Sequence, residues 1–90
     1  MLESNVEDAL RNGIEAKGGE CVKFVSPGRK GAPDRIVLLP PHGTIYVETK
    51  APDGVLKSWQ KRYHKMLQRA GNRVLVIWNL KQVERFLESL

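Results

Sequence analysis

Three charged residues, Asp34, Glu48 and Lys50, are the strongest candidates for chemistry in this 90-residue sequence. They lie at the outer ends of two apolar, β-branched runs that are separated by a Pro/Gly-rich turn. This pattern predicts a β-hairpin. A hairpin brings its outer ends together, so it places two carboxylates and an ammonium group in one small volume.

The register of the hairpin decides which of these side chains face one another. Glu48 and Lys50 are two residues apart in a strand and therefore share one face, about 7 Å from each other. A turn centred near Pro41 puts Asp34 opposite Glu48, and moving the centre by half a residue or a whole residue puts it opposite residue 49 or Lys50. Directly opposed residues point the same way, so only the first and last registers place Asp34 on the face of Glu48 and Lys50. The sequence leaves both registers open.

Two carboxylates held close together indicate a cation site. Their repulsion and burial cost several kcal/mol unless a cation compensates. A hard divalent ion such as Mg²⁺ takes oxygen ligands and keeps waters that suit a phosphate substrate. The alternative is a solvated Asp–Glu–Lys cluster at a strand end, which contributes little.

The dipeptide Pro33-Asp34 followed by Glu48-Thr49-Lys50 resembles the signature of the PD-(D/E)XK nuclease superfamily. The surrounding segments 23–35 and 47–52, together with Gln60, resemble a VRR-NUC domain over nearly the whole chain. The resemblance implies an α/β fold with a restriction-endonuclease-like core, αβββαβ(α), in which helices flank a mixed four-stranded sheet.

The resemblance also implies a metal centre. Asp34, Glu48 and the backbone carbonyl of Thr49 would hold one or two Mg²⁺ ions, for which Mn²⁺ would substitute, and a carboxylate from the first helix would join them. Glu7 fits that helical position better than Glu3, because Glu7 directly follows an apolar residue and should lie near the core boundary.

Lys50 and Gln60 complete the catalytic set that the resemblance implies. Lys50 would either help to deprotonate the attacking water or orient water and stabilise the transition state as a cation, and both roles remain open. Gln60 would orient Lys50, the water or a phosphate. With Asp34, Glu48 and Glu7, these two residues form the expected catalytic group.

The charge of the chain favours a polyanionic partner. Fifteen Lys and Arg residues against ten Asp and Glu give a formal net charge of +5 and a pI near 9.7. A solvated helix face or a flexible basic loop would account for the same residues. Beside a nuclease signature we expect phosphate contacts instead, and the candidate nucleic-acid-binding residues are Lys23, Ser26, Arg29, Lys30, Arg35, Lys57 and Lys61.

Periodic apolar residues and turn signals predict seven elements in the order α-β-β-β-α-β-α. The last strand follows a helix, so it should lie parallel to the preceding strand through a right-handed crossover, and its continuous apolar sequence predicts burial. The elements are a helix from Glu3 to about Lys17, a strand from Glu20 to Val25, the two hairpin strands, a helix capped by Ser58 and stopped at Gly71, a strand from Arg73 to Trp78, and a helix from Leu80 to Leu90.

Four other residues have simple predicted roles. Cys21 lies in an apolar strand and is expected to be a buried, unreactive thiol. Trp59 and Tyr63 are expected in the core, and His64 is expected to be partly exposed. One Cys and two scattered His residues give no zinc-ligand spacing.

Residues 1–90 are predicted to form a single nuclease domain with one active site. Because two symmetric cuts need two sites, and because stand-alone VRR-NUC domains resemble Holliday-junction resolvases, we expect a homodimeric, Mg²⁺-dependent endonuclease that acts on branched DNA. The alternatives are a non-catalytic nucleic-acid-binding module and a metal-dependent RNase, including a tRNA-processing one, on the same fold. No membrane span or signal peptide is visible, which predicts a cytoplasmic protein, with a phage or prophage product acting in its host cell as one source.

Overall fold

The computed structural model describes residues 2–90 and follows the predicted order of elements. The α/β fold and its mixed four-stranded sheet with flanking helices are confirmed. The elements are α1 (Glu3–Ala16), β1 (Glu20–Lys23), β2 (Arg35–Leu39), β3 (Gly43–Thr49), α2 (Ser58–Arg69), β4 (Arg73–Ile77) and α3 (Leu80–Glu88).

The strands lie in the order β1-β2-β3-β4, with β1–β2 and β2–β3 antiparallel and β3–β4 parallel. The predicted crossover through α2 is therefore present. In the hairpin, Arg35 lies opposite Val47. Continuing this register by one residue puts Asp34 opposite Glu48, which is the first of the registers that the sequence left open.

The main core lies between one face of the sheet and the helices α1 and α3. The spacing of four residues between Val6, Leu10 and Ile14 places all three on one side of α1, where they are fully buried. Burying such a side chain completely contributes about 1.5–3 kcal/mol. The sheet and α3 supply the other core residues: Cys21, Val37, Leu39, Ile45, Val47, Ile77, Val83 and Phe86.

Helix α2 covers part of the other face of the sheet. Its Tyr63 ring packs edge-on against Phe24, with 6.2 Å between ring centroids, and Phe24 also packs against Tyr46 at 5.7 Å. Ser58 is the first helical residue rather than the predicted N-cap. The side chain of Gln60 accepts a hydrogen bond from the backbone N–H of Lys57 at 2.8 Å. Gln60, and not Ser58, therefore provides a side-chain acceptor for a backbone donor at the start of the helix.

Two predictions of burial are wrong. Strand β4 is an edge strand in which only Ile77 is buried, because no further strand of residues 2–90 pairs with its outer side. Trp59 is 39% exposed, whereas Tyr63, one helical turn later, is 7% exposed.

Among residues 2–90, no helix is both long and apolar enough to cross a membrane.

Candidate active site

Hydrogen bonds fix the carboxylate of Asp34 where β2 begins and β3 ends. Its Oδ2 accepts the backbone N–H of Thr49 at 3.1 Å and also the Thr49 hydroxyl. Both donors come from the residue after Glu48 in the neighbouring strand. The hairpin register therefore positions Asp34 and Glu48 together, and the orientation of Asp34 is set before any ligand binds.

Helix α2 holds the carboxylate of Glu48 from its other side. Gln60 Nε2 donates a hydrogen bond to Glu48 Oε2 at 3.4 Å, and His64 Nε2 lies 3.8 Å from Glu48 Oε1. Gln60 and His64 are four residues apart, so they share one side of the helix. Lys50 Nζ lies 3.9 Å from Glu48 Oε2, beyond hydrogen-bond distance. Gln60 itself is fixed by its hydrogen bond to Lys57.

The buried Glu48 carboxyl strongly resists ionisation. Only 5% of its side chain is exposed. Burial, followed by the hydrogen bond and negative charge of Asp34, raises the pKa of Glu48 to about 9, with Lys50 opposing the shift and Glu3 adding to it. Burial also lowers the pKa of His64, which favours the neutral form of its imidazole.

Glu3, Asp34 and Glu48 form a carboxylate cluster in which one oxygen atom from each residue lies within 4.8 Å of the other two. Glu48 Oε1 and His64 Nε2 are both buried, and neither has a hydrogen-bond partner among residues 2–90. Buried polar atoms normally have a partner, and close carboxylates are ionised together only when a cation offsets their charge. The oxygen donors fit a hard divalent cation, and the expected ligands Asp34 and Glu48 are both in the cluster.

Two predicted site residues lie elsewhere. Arg35 Nε donates a hydrogen bond to Glu7 Oε1 at 2.8 Å, and its Nη1 donates to the backbone carbonyl of Cys21. Arg35 is 6% exposed, too buried to contact nucleic acid. Glu7 neutralises this arginine and does not join the carboxylate cluster, where Glu3 takes the place expected for it.

The other predicted nucleic-acid contacts are spread over the surface around α2. Ser26 is half-buried and its Oγ accepts a hydrogen bond from the Tyr63 hydroxyl at 3.1 Å. Arg29 and Lys30 are exposed, and their charged groups lie over the rings of Tyr63 and Trp59 in α2. The remaining three, Lys23, Lys57 and Lys61, are exposed.

His64 is the residue of this site that sequence reasoning missed, since it was expected to be partly exposed and is 6% exposed. Its position four residues after Gln60 was the available signal. If Gln60 faces the carboxylates, the residue one turn later on the same side must face them too.

The mixed sheet and the Asp34–Glu48–Lys50 group define a restriction-endonuclease-like protein. Over 77 residues the chain is 43% identical to "Putative nuclease p44" of Acyrthosiphon pisum secondary endosymbiont phage 1, which covers 86% of this chain and 83% of that protein. A solved structure described as "VRR_NUC domain" superposes with a TM-score of 0.88 and 33% identity, over 96% of this chain and 94% of the other. No family model matches the chain. The chain belongs to the VRR-NUC nucleases, as its sequence motifs predicted.

Proposed function

We propose that this nuclease is a Mg²⁺-dependent endonuclease that cuts branched DNA, with the Holliday junction as its preferred substrate. The observation that supports this proposal most strongly is the buried carboxylate of Glu48, which lies close to the carboxylates of Asp34 and Glu3. Burial and these two neighbours disfavour its negative charge, and Lys50 offsets that charge only in part. A divalent cation would offset that charge. When bound, Mg²⁺ supplies an acidified water and positive charge for the phosphoryl oxygens, and Mn²⁺ would substitute.

The residues of the chain would prepare the site for a phosphodiester. Asp34, Glu48, Glu3 and the Thr49 carbonyl would hold the metal. Gln60 donates to Glu48 and so fixes the carboxylate orientation.

Lys50 would act on the reacting groups directly. Its side chain is 14% exposed beside Glu48. From there its Nζ would donate hydrogen bonds to the attacking water or a phosphate oxygen, and it would stabilise charge that develops in the transition state.

Paired cleavage would require two copies of the chain. We propose that residues 1–90 act as one domain with one carboxylate cluster. A two-fold homodimer would bring two clusters to opposite strands of a junction. Its place of action would be the cytoplasm of a host cell, in keeping with the phage origin of the relative named above. Sedimentation that shows only monomer, with and without junction DNA, would contradict paired cleavage.

The direct test is cleavage of end-labelled four-way junction, flap, single-stranded and duplex DNA, and of matched RNA, in Mg²⁺, Mn²⁺ or EDTA. We expect metal-dependent, symmetric cuts in the junction that Lys50→Ala reduces by about 100-fold or more. Lys17→Ala, which removes an exposed lysine at the end of α1, serves as the control and should cut like the wild type.

Each other result of this test points to a different function. Cutting of RNA in preference to DNA would indicate a ribonuclease. DNA binding without cleavage of any substrate would indicate a binding module.

A further inference from the structure

The side of α2 that faces away from Glu48 carries a second charged feature. Successive residues of an α-helix are rotated by about 100°. Gln60 and His64 point toward Glu48, and Arg62 is therefore about 160–200° away from both. Arg69 lies seven residues after Arg62 and returns to nearly the same side. One helix thus separates the carboxylate cluster from a basic surface.

Two adjoining cavities form this surface. One has a volume of about 460 Å³ and the other of about 360 Å³. Arg29 and Arg62 line both cavities, so the two lie side by side and form one basic surface. We call it the cationic groove, and its charged residues are Arg29, Lys30, Arg62, Lys65 and Arg69.

Aromatic rings hold the loop that supplies two of these cations. The Arg29 guanidinium carbon lies 5.0 Å from the centre of the Tyr63 ring, and Lys30 Nζ lies 5.2 Å from the centre of the Trp59 ring. Gly31 has φ +104, and a Cβ there would overlap the Trp59 carbonyl oxygen. The loop is thus packed tightly on the first turn of α2. A cation over a ring face keeps its charge and its N–H donors for an anion.

Of the described residues that line the two cavities, none is acidic. Within residues 2–90, none of the five cations of the cationic groove has a carboxylate oxygen within 4.0 Å, whereas Arg35, Lys50 and Arg11 each have one. Five unneutralised cations side by side repel one another. An anion is therefore the ligand that would stabilise this surface.

The shape of the cationic groove favours an extended polyanion. Arg62 and Arg69 are about 10 Å apart along the helix at about 1.5 Å per residue. That distance is longer than a single phosphate group can fill. A nucleic-acid strand carries regularly spaced phosphates and releases counterions when lysines and arginines neutralise them.

We propose that the cationic groove binds the phosphate backbone of a second DNA segment, distinct from the segment whose phosphodiester lies at Glu48. A strand at Glu48 would have to wrap around α2 to reach Arg62 and Arg69, whereas a separate arm of a branched molecule reaches them directly. The choice of DNA as the polyanion rests on the proposed nuclease function. Binding itself needs neither metal nor cleavage, so the two proposals fail separately.

The experiment measures binding of a four-way junction and of a linear duplex with the same number of base pairs, by fluorescence anisotropy in EDTA. Arg62→Glu/Arg69→Glu reverses two charges of the cationic groove. Lys81→Glu/Arg85→Glu makes the same change in charge at two exposed residues of α3, which packs with α1 away from α2. Circular dichroism melts check that both variants fold.

We expect the wild type to prefer the junction and the groove variant to lose about tenfold in junction affinity, with the preference over duplex removed. The control variant should keep the preference. Three results would overturn the proposal: a wild type without preference, a groove variant that matches the control, or an equal loss for both DNAs. Loss of the preference in a protein that cuts nothing would keep the cationic groove and refute the proposed catalysis.

Discussion

The two sides of α2 differ in the sign, burial and pairing of their charges. On one side, Gln60 and His64 contact the buried carboxyl group of Glu48. Burial and the neighbouring Asp34 disfavour its ionisation. On the other, Arg62 and Arg29 are exposed and have no carboxylate partner within residues 2–90. One side disfavours a negative charge that a bound cation would stabilise, and the other carries positive charges without carboxylate partners within residues 2–90.

The comparison indicates which kind of ligand would stabilise each side. A crowded, desolvated carboxylate is stabilised by a small hard cation. A wide, hydrated row of guanidinium and ammonium groups is stabilised by an extended anion that displaces counterions. One helix can therefore separate metal binding from backbone binding, and mutations on its two sides should affect different measurements.

The largest loss of metal affinity is expected at His64, whose contact with Glu48 is the least obvious part of the acidic side. We expect His64→Leu to weaken Mn²⁺ binding by about 10–100-fold in calorimetric titrations, because Glu48 Oε1 loses the imidazole nitrogen that lies 3.8 Å from it. His64→Gln keeps a donor and should recover part of the affinity.

The control for His64 is Tyr63→Phe, a substitution on the same helix. It removes the hydrogen bond from Tyr63 to Ser26 and leaves the contacts of Glu48 unchanged. Its Mn²⁺ affinity should equal that of the wild type. Wild-type affinity in His64→Leu would show that α2 does not orient the carboxylate.

Glu3 and Glu7 lie four residues apart on α1 and should separate metal binding from stability. Glu3→Gln should lower Mn²⁺ affinity by about tenfold with little change in unfolding free energy, because Glu3 is exposed and belongs to the carboxylate cluster. Glu7→Ala should leave Mn²⁺ affinity unchanged.

Glu7→Ala should instead lower the free energy of unfolding by about 3 kcal/mol, because it leaves the Arg35 charge buried without a partner. Urea denaturation measures this loss. The reverse pattern, with metal binding lost in Glu7→Ala and kept in Glu3→Gln, would restore the original expectation for Glu7.

The last effect concerns pH and the metal-free protein. The folded pKa of Glu48, about 9, is above its ordinary value of 4.5. Between these values the unfolded chain releases a proton that the folded chain keeps, so stability falls as pH rises, by at most about 1.4 kcal/mol per pH unit. In EDTA, the melting temperature of the wild type should therefore decrease from pH 6 to pH 8 more than that of Glu48→Gln.

Saturating Mg²⁺ should reduce this difference, because a bound cation favours the ionised carboxylate. Parallel pH dependence of the two proteins in EDTA would show that Glu48 is already ionised without metal.

The hairpin and its charges could be predicted because they depend on local sequence. Strand alternation and one turn limit the residue opposite Asp34 to Glu48, Thr49 or Lys50, and the pairing of β2 with β3 selects Glu48. Lys50 follows from the same alternation. The element order likewise came from local periodicity, and the comparison with known structures confirms the fold.

The errors came from contacts between elements that are distant in sequence. Arg35 lies on the same face of β2 as Val37 and Leu39, and this face packs in the core against α1. A buried arginine at that position needs a carboxylate partner from the helix. This signal identifies Glu7 as its partner once the packing of α1 is known. The sequence alone does not give that packing.

Trp59 was misassigned for a related reason. Helical periodicity predicts that Trp59 shares one side of α2 with Arg62 and Met66. It does not predict that the loop of Arg29 and Lys30 covers only part of that side. The exposure of the tryptophan follows from the path of that loop.

The measurement that tests the central claim most directly is an anomalous difference map from crystals of the protein grown with Mn²⁺. The account predicts a peak bound by oxygen atoms of Asp34 and Glu48, with Glu3 nearby and with Glu7 still paired to Arg35. No peak at these carboxylates under saturating Mn²⁺, or a peak bound by Glu7, would contradict the assignment of this side of α2 as a metal-dependent nuclease site.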